Sequence, residues 1–505
     1  MTISPLRAAL LALLGLFLAA PAKATWSIVV INRETGELAV ATSTCISNFD
    51  IATAVPVIRV GYAAGAAQSF VIGQATNRRR IFRNSLRGAT PQQMLDVIEA
   101  SDGGFELRQF GIVAFSGPPV THTGTSNGAF ADGLTGSFGP YEYAIQGNVL
   151  TGANVVFDCE AAFVNTPGDL GQRIVAAMEA ARDAGGDGRC SCTVGAPTGC
   201  GSPPPSFTYA SYNAFMAIAR LGDTDALCLG STGCAAGDYY LRITYAGNQN
   251  TQEPIARLRA EYDAWRASQV GRPDHVLSEY TTSVPRLQAD GVTSSRVEIQ
   301  LRDIDGNPLA VGGQSVTAVR LSGPPVAQAV NVVDNGDGTH SLDLRSTLNQ
   351  GTSTYAIVVD DGIRPVQLYP TLTVESAAPA ELHIGQGSLS AAEGTPLPLI
   401  LNRGAADAGA SYRVLASLSG TQPGTVVGGV SVPLNRDRLL DFTAGWQGGA
   451  PFTGNAGALD PDGRAEALLA LDPGSLLPFV GATMSFSAVI GGVAATPAAS
   501  ILVGP

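Results

Sequence analysis

Thr25 is the residue whose type and position best suit it for chemistry. It follows Ala22-Lys23-Ala24, a small-residue sequence of the kind that signal peptidase cleaves, and it precedes an apolar run that begins at Trp26. After cleavage, Thr25 would carry both a free α-amine and a hydroxyl. The hydroxyl can attack a carbonyl while the amine, with a pKa of about 7.7–8.0, accepts the proton. The alternative is that a threonine occupies this position by chance.

The lysines and histidines of the chain limit which classes of enzyme it could belong to. Lys23 is the only lysine, so the mature chain lacks the amine that a P-loop, a Schiff-base enzyme or a serine–lysine hydrolase requires. The four histidines are widely separated and form no HExxH motif, and His122 is most simply a strand or surface residue. No dinucleotide-binding or metal-ligand spacing is present. We therefore expect no cofactor and no metal.

The first 24 residues have the three parts of a signal peptide. Arg7 supplies a positive charge, residues 8–20 are apolar, and the cleavage site ends at Ala24. The apolar stretch is too short to span a bilayer, which makes a membrane anchor the weaker alternative. We expect a protein that is secreted, periplasmic or held at the cell surface.

Composition indicates an acidic, globular chain with several domains. Its 505 residues are enough for about two to four domains. Hydrophobic residues make up 45% and charged residues only 14%, which excludes disordered, coiled-coil and collagen-like classes. The formal net charge of −12 becomes more negative when Arg7 and Lys23 are removed. Because an acidic chain repels phosphate backbones, we expect no nucleic-acid partner.

The cysteines are crowded into one part of the chain. Five of the seven fall within residues 190–234. In an oxidising compartment this pattern predicts at least two disulfides among the five, and the spacing of Cys190 and Cys192 disfavours a zinc site. The odd number leaves one thiol over, and the connectivity stays open. Cys45 and Cys159 can pair with each other only if one of the five is free.

Residues 25–268 combine strand and helix patterns that would position Thr25. Residues 26–32 and 37–44 are apolar, β-branched runs joined by a turn, so Thr25 lies at the start of a predicted hairpin. Thr90 and Pro91 are typical of a helix start. The other predicted helices are 153–164, 169–184 and 253–268, and the other predicted strands are 107–115, 209–220 and 239–245.

Helical periodicity disappears after about residue 285. Residues 286–376 alternate apolar and polar side chains between Asn, Asp and Gly turns, which predicts a β-sandwich. Residues 377–505 repeat this style and predict a second all-β domain. The acidic turns lack the spacing of an EF-hand, so hairpin turns are favoured over calcium sites.

Several short motifs give residues 25–265 a resemblance to a known family. They occur in family order over about half of the chain, and the longest is the most specific. The motifs are TWSIV at 25–29, GELAVA at 36–41, VPVIRVG at 55–61, AQSF at 67–70, RQFGIV at 108–113, YAIQGNVLTG at 143–152 and AGGD at 184–187. This region resembles an uncharacterised bacterial family of the N-terminal-nucleophile (Ntn) hydrolase superfamily, the domain of unknown function numbered 1028.

The resemblance implies an αββα sandwich with the N-terminal residue at the mouth of its central sheets, and it implies amide-bond hydrolysis as an activity. In that fold Thr25 is the nucleophile and base, and Asn148 is the first candidate for an oxyanion donor, ahead of Gln68. Arg59 would lower the pKa of the Thr25 amine, and Asp187 would orient the amine or a hydroxyl.

Each of these roles has a structural alternative. The amides could instead be satisfied buried groups, Arg59 a paired charge, and Asp187 a helix cap. Two stretches depart from the family pattern and are candidates for lining a pocket: the cysteine-rich residues 189–205 and the glycine-rich residues 122–141.

A second resemblance concerns the first β-sandwich. Its ADGV at 289–292, VEIQLRD at 297–303 and DGNP at 305–308 resemble the bacterial Ig-like modules of invasin-type surface proteins, which implies a spacer or adhesive role.

The sequence thus predicts an α+β protein in which an Ntn-hydrolase-like αββα domain (25–268) is followed by two all-β sandwich domains (286–376 and 377–505). Its predicted function is a secreted Thr25 hydrolase acting on an unknown amide or peptide substrate. The rival hypothesis is a non-catalytic surface-binding or adhesion protein that contacts a cell surface or envelope through its β modules. A two-carboxylate glycosidase is a third class, but no acid pair stands out.

Overall fold

A computed structural model describes residues 25–128, 130–283, 286–377, 381–394 and 396–505. The predicted signal peptide, residues 1–24, lies outside this range. The chain divides between Val270 and Gly271 into two compact units.

Within the residues that the structure describes, the first unit has ten strands and seven α-helices. The strands are β1 (Thr25–Asn32), β2 (Leu38–Thr44), β3 (Pro56–Arg59), β4 (Ala63–Ser69), β5 (Arg108–Ala114), β6 (Gly117–Thr123), β7 (Asp132–Phe138), β8 (Tyr141–Asn148), β9 (Asn213–Ala219) and β10 (Leu241–Ala246). The helices are α1 (Ile51–Ala54), α2 (Thr76–Ser85), α3 (Pro91–Glu99), α4 (Asn154–Asn165), α5 (Leu170–Asp183), α6 (Gly188–Ser191) and α7 (Pro254–Ser268).

Two antiparallel sheets form the centre of this unit. The first has the strand order β10-β9-β2-β1-β8-β7, and the second has the order β3-β4-β5-β6. As predicted, β1 is a central strand and pairs antiparallel with β2. Gly36, in the turn between them, has a φ of +76°, which glycine adopts without steric cost.

Apolar side chains show how the layers stack. Trp26 and Ile28 of β1 pack with α4, α5 and α7 on one face of the first sheet. Val29 and Ile31 point the other way, toward the second sheet and its Val113. The outer face of the second sheet is covered by α2 and α3. The unit therefore has a helix layer, two sheet layers and a second helix layer.

Several predicted helices form with slightly shifted ends, because a residue that caps a helix is not itself helical. Thr90 caps α3 and Asp169 caps α5, each in a reciprocal capping box, and Glu253 caps α7. Helix α2 was not predicted, since its sequence TNRRRIFRNS offers only two large apolar residues, Ile81 and Phe82.

Strands are the main regular secondary structure of the second unit. Its first part has β11 (Glu279–Thr282), β12 (Arg286–Gln288), β13 (Ser294–Gln300), β14 (Ser315–Ser322), β15 (Ala327–Asp334), β16 (Thr339–Ser346), β17 (Gly351–Asp360), β18 (Pro365–Gln367) and β19 (Leu372–Ala377). These form sheets of order β11-β13-β16-β15 and β12-β19-β17-β14, with β18 added to β17. Strand β11 pairs with β13, so this sheet begins before residue 286.

The last part of the chain has β20 (Leu382–Ile384), β21 (Leu389–Ser390), β22 (Leu397–Asn402), β23 (Ser411–Ser417), β24 (Thr425–Val427), β25 (Val430–Val432), α8 (Arg438–Gly445), β26 (Phe452–Thr453), β27 (Ala456–Ala458), β28 (Arg464–Leu469), β29 (Thr483–Ile490), β30 (Ala494–Ala495) and β31 (Ala499–Gly504). Its two main sheets have the orders β20-β22-β28-β26 and β21-β31-β29-β23-β27. Helix α8 departs from the predicted all-β pattern. Asp437 caps it, and it buries Leu440 and Thr443.

Candidate functional site

The candidate site lies at one end of β1, where Thr25 is the first strand residue. Thr25 pairs with Asn148, the last residue of β8, and both are buried. Because side chains alternate along a strand, Thr25 shares its face with Ser27 and Val29, the face that meets the second sheet. The structure therefore brings together the predicted nucleophile and the first candidate for an oxyanion donor.

Gln68 of β4 joins the second sheet to this strand. Its Nε2 donates to the main-chain oxygen of Thr25 (2.9 Å) and to Oε1 of Gln109 (2.8 Å), while its Oε1 accepts from the Ser27 hydroxyl (2.5 Å). Both Nε2 hydrogens are thus engaged. We infer that Gln68 holds the Thr25 main chain in place, and that it has no hydrogen left for an oxyanion.

Gln109 of β5 extends the same network. Its Nε2 donates to the main-chain oxygen of Gly147 (2.8 Å) and to the hydroxyl of Thr123 (2.9 Å). The connected amides of Gln68 and Gln109 therefore tie β1 and β8 of one sheet to β4, β5 and β6 of the other. A buried network of this kind fixes the relative position of the two sheets at the Thr25 end.

The Asn148 side chain reaches the end of β4 in the second sheet. Its Nδ2 lies 3.4 Å from the Ser69 hydroxyl, longer than an ordinary hydrogen bond.

Asp187 lies at the same end of the first sheet. Its carboxylate accepts from the Cys45 main-chain nitrogen (2.8 Å), directly after β2, and pairs with Nη2 of Arg189 (2.7 Å). It also caps α6 by accepting from the main-chain nitrogen of Arg189. The contacts of Asp187 are therefore those of a helix cap. Its ion pair with Arg189 also places a positive charge at this end of the first sheet.

Arg59 lies far from the other candidate site residues. It lies opposite Ala63 at the start of β4. Gln68 is five residues farther along, roughly 16 Å away at about 3.3 Å per residue. The guanidinium pairs with Asp225 (3.2 Å) and covers the ring of Phe82. Through these contacts Arg59 contributes to packing at the far end of the second sheet.

Sequence reasoning missed Ser27, Gln109 and Arg189. Ser27 could have been found from strand alternation, since it shares a face with Thr25. Gln109 is part of the RQFGIV motif, and Arg189 lies two positions after the end of the AGGD motif, but neither motif shows what these side chains contact.

The cysteines form three disulfides: Cys45–Cys190, Cys192–Cys200 and Cys228–Cys234. Two of these lie within the five clustered cysteines, as predicted, and the first ties the end of β2 to α6. Cys45 therefore does not pair with Cys159, which is a buried free thiol whose pKa is raised by burial.

Two further features of the described residues bear on chemistry and location. His122 lies on β6 and stacks on Phe105, with ring centroids 3.9 Å apart, which fits the strand interpretation. Within the described ranges, no group of three or more His, Cys, Asp or Glu side chains is placed to hold a metal ion. Nor does that part of the chain contain a helix long and apolar enough to cross a membrane.

Comparison with known families confirms both resemblances. Residues 25–194 match a family of unknown function, DUF1028, and residues 274–377 match invasin domain 3. A search of the curated proteins finds no match.

Solved structures that are similar to the chain include a DUF1028 protein from Silicibacter pomeroyi (19% identity, TM-score 0.34), with 49% of this chain and 94% of that chain covered. Others are the Yersinia pseudotuberculosis adhesin InvE (14% identity, TM-score 0.19, 45% and 58% covered) and invasin, described as a bacterial integrin-binding protein (10% identity, TM-score 0.18, 95% and 60% covered). The chain thus spans about three fifths of the length of the latter two.

Proposed function

We propose that this chain is an exported binding protein that contacts a cell surface or envelope through its β-rich domains. The match of residues 274–377 to invasin domain 3 supports this function. Three disulfides suit an oxidising location outside the cytoplasm. In this proposal residues 1–24 direct export, 25–268 form an Ntn-like domain that serves as a scaffold, and 286–376 and 377–505 are the modules that make contact.

The observation that carries the proposal is the surface of β14 and β15. Each is the outermost strand of its sheet. Edge strands of soluble proteins are usually protected by charge, whereas exposed apolar side chains mark interaction sites. The exposed apolar residues here, each 43–51% accessible, are Val319, Leu321, Val332 and Val333.

Binding of the labelled full chain to cells tests this function. Intact bacterial cells and cultured epithelial cells are titrated with the protein, and bound fluorescence is measured by flow cytometry. We expect saturable binding that falls at least about tenfold when Leu321→Asp and Val332→Asp are combined, since a charge at the centre of an apolar contact costs more than about 1.4 kcal/mol. Thr317→Asp, at an exposed polar position of β14, is the matched control. Absence of saturable binding to either cell type would refute the proposal.

The pairing of Thr25 with Asn148 supports a second candidate, a threonine amide hydrolase. After removal of residues 1–24, the Thr25 hydroxyl would attack the substrate carbonyl and pass its proton to its own α-amine. The Asn148 amide would stabilise the oxyanion, and the leaving amine would take the proton as the C–N bond breaks. Water would then hydrolyse the ester to Thr25 and release the acid.

A further inference from the structure

The C-terminal domain contains a cavity of about 550 Å³. It lies between helix α8, the end of β23, strand β29 and the turn around Leu476. Protein interiors are normally packed to crystal density, whereas binding sites for small molecules span about 300–1,000 Å³. A space of this size is therefore suited to a ligand.

The wall of the cavity is overwhelmingly apolar. Phe442 and Phe479 stand at its rim, each 41% exposed, and Trp446 packs against Phe442 with ring centroids 4.7 Å apart. Rings exposed beside an apolar space lower the cost of bringing in an apolar ligand. The other apolar wall residues include Leu418, Leu439, Phe452, Leu469, Leu471 and Met484.

Two charged residues reach this cavity, and only one is available to a ligand. Asp437 accepts hydrogen bonds from the main-chain nitrogens of Leu418 and Leu440 and from the Ser417 hydroxyl, at 2.7–3.0 Å. Its carboxylate is thereby saturated. Arg438, the first residue of α8, is exposed and has no ion pair or side-chain hydrogen bond with any residue that the structure describes.

We propose that this cavity binds a free fatty acid, with its acyl chain inside and its carboxylate on Arg438. The apolar wall matches a hydrocarbon chain, and the one available charge matches a single anionic head. An apolar peptide would bring main-chain amides into a wall that offers almost no hydrogen-bond partners, at a cost in free energy.

Fluorescence titration of the full chain with cis-parinaric acid, followed by displacement with sodium dodecanoate and with methyl dodecanoate, tests the proposal. We expect saturable binding and displacement by dodecanoate. Arg438→Gln should weaken dodecanoate binding about tenfold, the typical effect of losing a charge-assisted hydrogen bond, and leave the uncharged ester unchanged. Arg436→Gln is the matched control, because Arg436 is exposed, pairs with Asp441 and is outside the cavity wall.

A second variant tests the cavity itself. Phe479→Asp places a carboxylate at a rim position that is 41% exposed, and it should weaken dodecanoate binding at least about tenfold. Lack of saturable binding would overturn the proposal. So would equal loss of acid and ester in Arg438→Gln, or binding to phosphatidylglycerol vesicles that dodecanoate does not displace, since the ligand would then be a lipid surface.

Discussion

Thr25 and Asn148 lie directly opposite each other across the β1–β8 pair, although 123 positions separate them in the chain. The Gln68 amide holds the Thr25 main-chain oxygen from the neighbouring sheet. This relationship is the basis of the hydrolase candidate, and it also explains why the same residues could serve a purely structural purpose. Substitutions at Thr25 and Gln68 can distinguish a catalytic role from a structural one.

Thr25→Ala should abolish any hydrolysis of amide substrates while leaving the fold intact, because it removes the nucleophile but little buried volume. Thr25→Ser should keep part of the activity, since serine retains the hydroxyl and the amine. A panel of aminoacyl p-nitroanilides measures this, with circular dichroism as the control for folding. Turnover by Thr25→Ala at the parent rate would eliminate the hydrolase candidate.

The same mechanism requires a free amine on Thr25. Intact-mass analysis of the exported protein should give a chain that begins at Thr25, and activity should decline as the pH falls below about 7.7–8.0, where the amine becomes protonated. A mature chain that begins at any other residue would leave the protein without its proposed base.

Gln68→Ala should destabilise the first unit by about 3 kcal/mol, because it removes three buried hydrogen bonds, to the Ser27 hydroxyl, the Gln109 amide oxygen and the Thr25 main-chain oxygen. Urea denaturation followed by fluorescence measures the change. Gln92→Ala, on the exposed side of α3, is the control and should cost less than about 0.5 kcal/mol. Equal effects of the two substitutions would show that the network contributes no stability.

Thiol titration should find a single free cysteine in the unreduced protein, and only after unfolding, since Cys159 is buried and burial raises its pKa. Five or more free thiols would contradict the three disulfides. Seven should appear after reduction.

The disulfides should differ in their contribution to stability. Replacing Cys45 and Cys190 by serine opens a loop of 145 residues and should cost about 5 kcal/mol, whereas replacing Cys228 and Cys234 opens a loop of 6 and should cost about 2 kcal/mol. Chemical denaturation of the two double variants measures the difference. The opposite order would show that loop entropy does not govern these bonds.

Asp290 should make the stability of the second unit depend on pH. Burial by itself raises the pKa of this carboxyl, but hydrogen bonds from His383 and Thr293 outweigh it and hold the pKa well below its usual range. A group whose pKa is lower in the folded than in the unfolded chain stabilises the fold above the unfolded pKa of about 3.9, and this contribution is lost as the pH falls. Asp290→Asn should cost about 3 kcal/mol at pH 7.

Urea denaturation of the parent and of Asp290→Asn between pH 7 and pH 2 measures this dependence. The difference between the two proteins should shrink below about pH 4, as the parent loses its own contribution. A difference that stays constant over this range would mean that the carboxylate charge is not responsible.

The local part of this structure could be predicted from the sequence. Two apolar, β-branched runs joined by a turn predict the β1–β2 hairpin, and the Thr90-Pro91 start predicts α3, because both depend on backbone preferences over a few residues. The motifs around residues 25–29, 36–41 and 143–152 indicated the resemblance to DUF1028, whose family model matches residues 25–194. Helix α2 was not predicted, because its arginine-rich sequence shows little apolar periodicity. Helix α8 was not predicted, because it is a single short helix among strands.

The sequence by itself determined which residue types are available: one N-terminal threonine candidate, no lysine after Lys23 and seven cysteines. Only the tertiary structure decided which of them meet. It brought Gln68 to the main chain of Thr25, sent Arg59 to Asp225, and joined Cys45 to Cys190. The reason is physical: strand order and sheet packing bring residues more than 40 positions apart to within about 3 Å, a hydrogen-bond distance that no local pattern encodes.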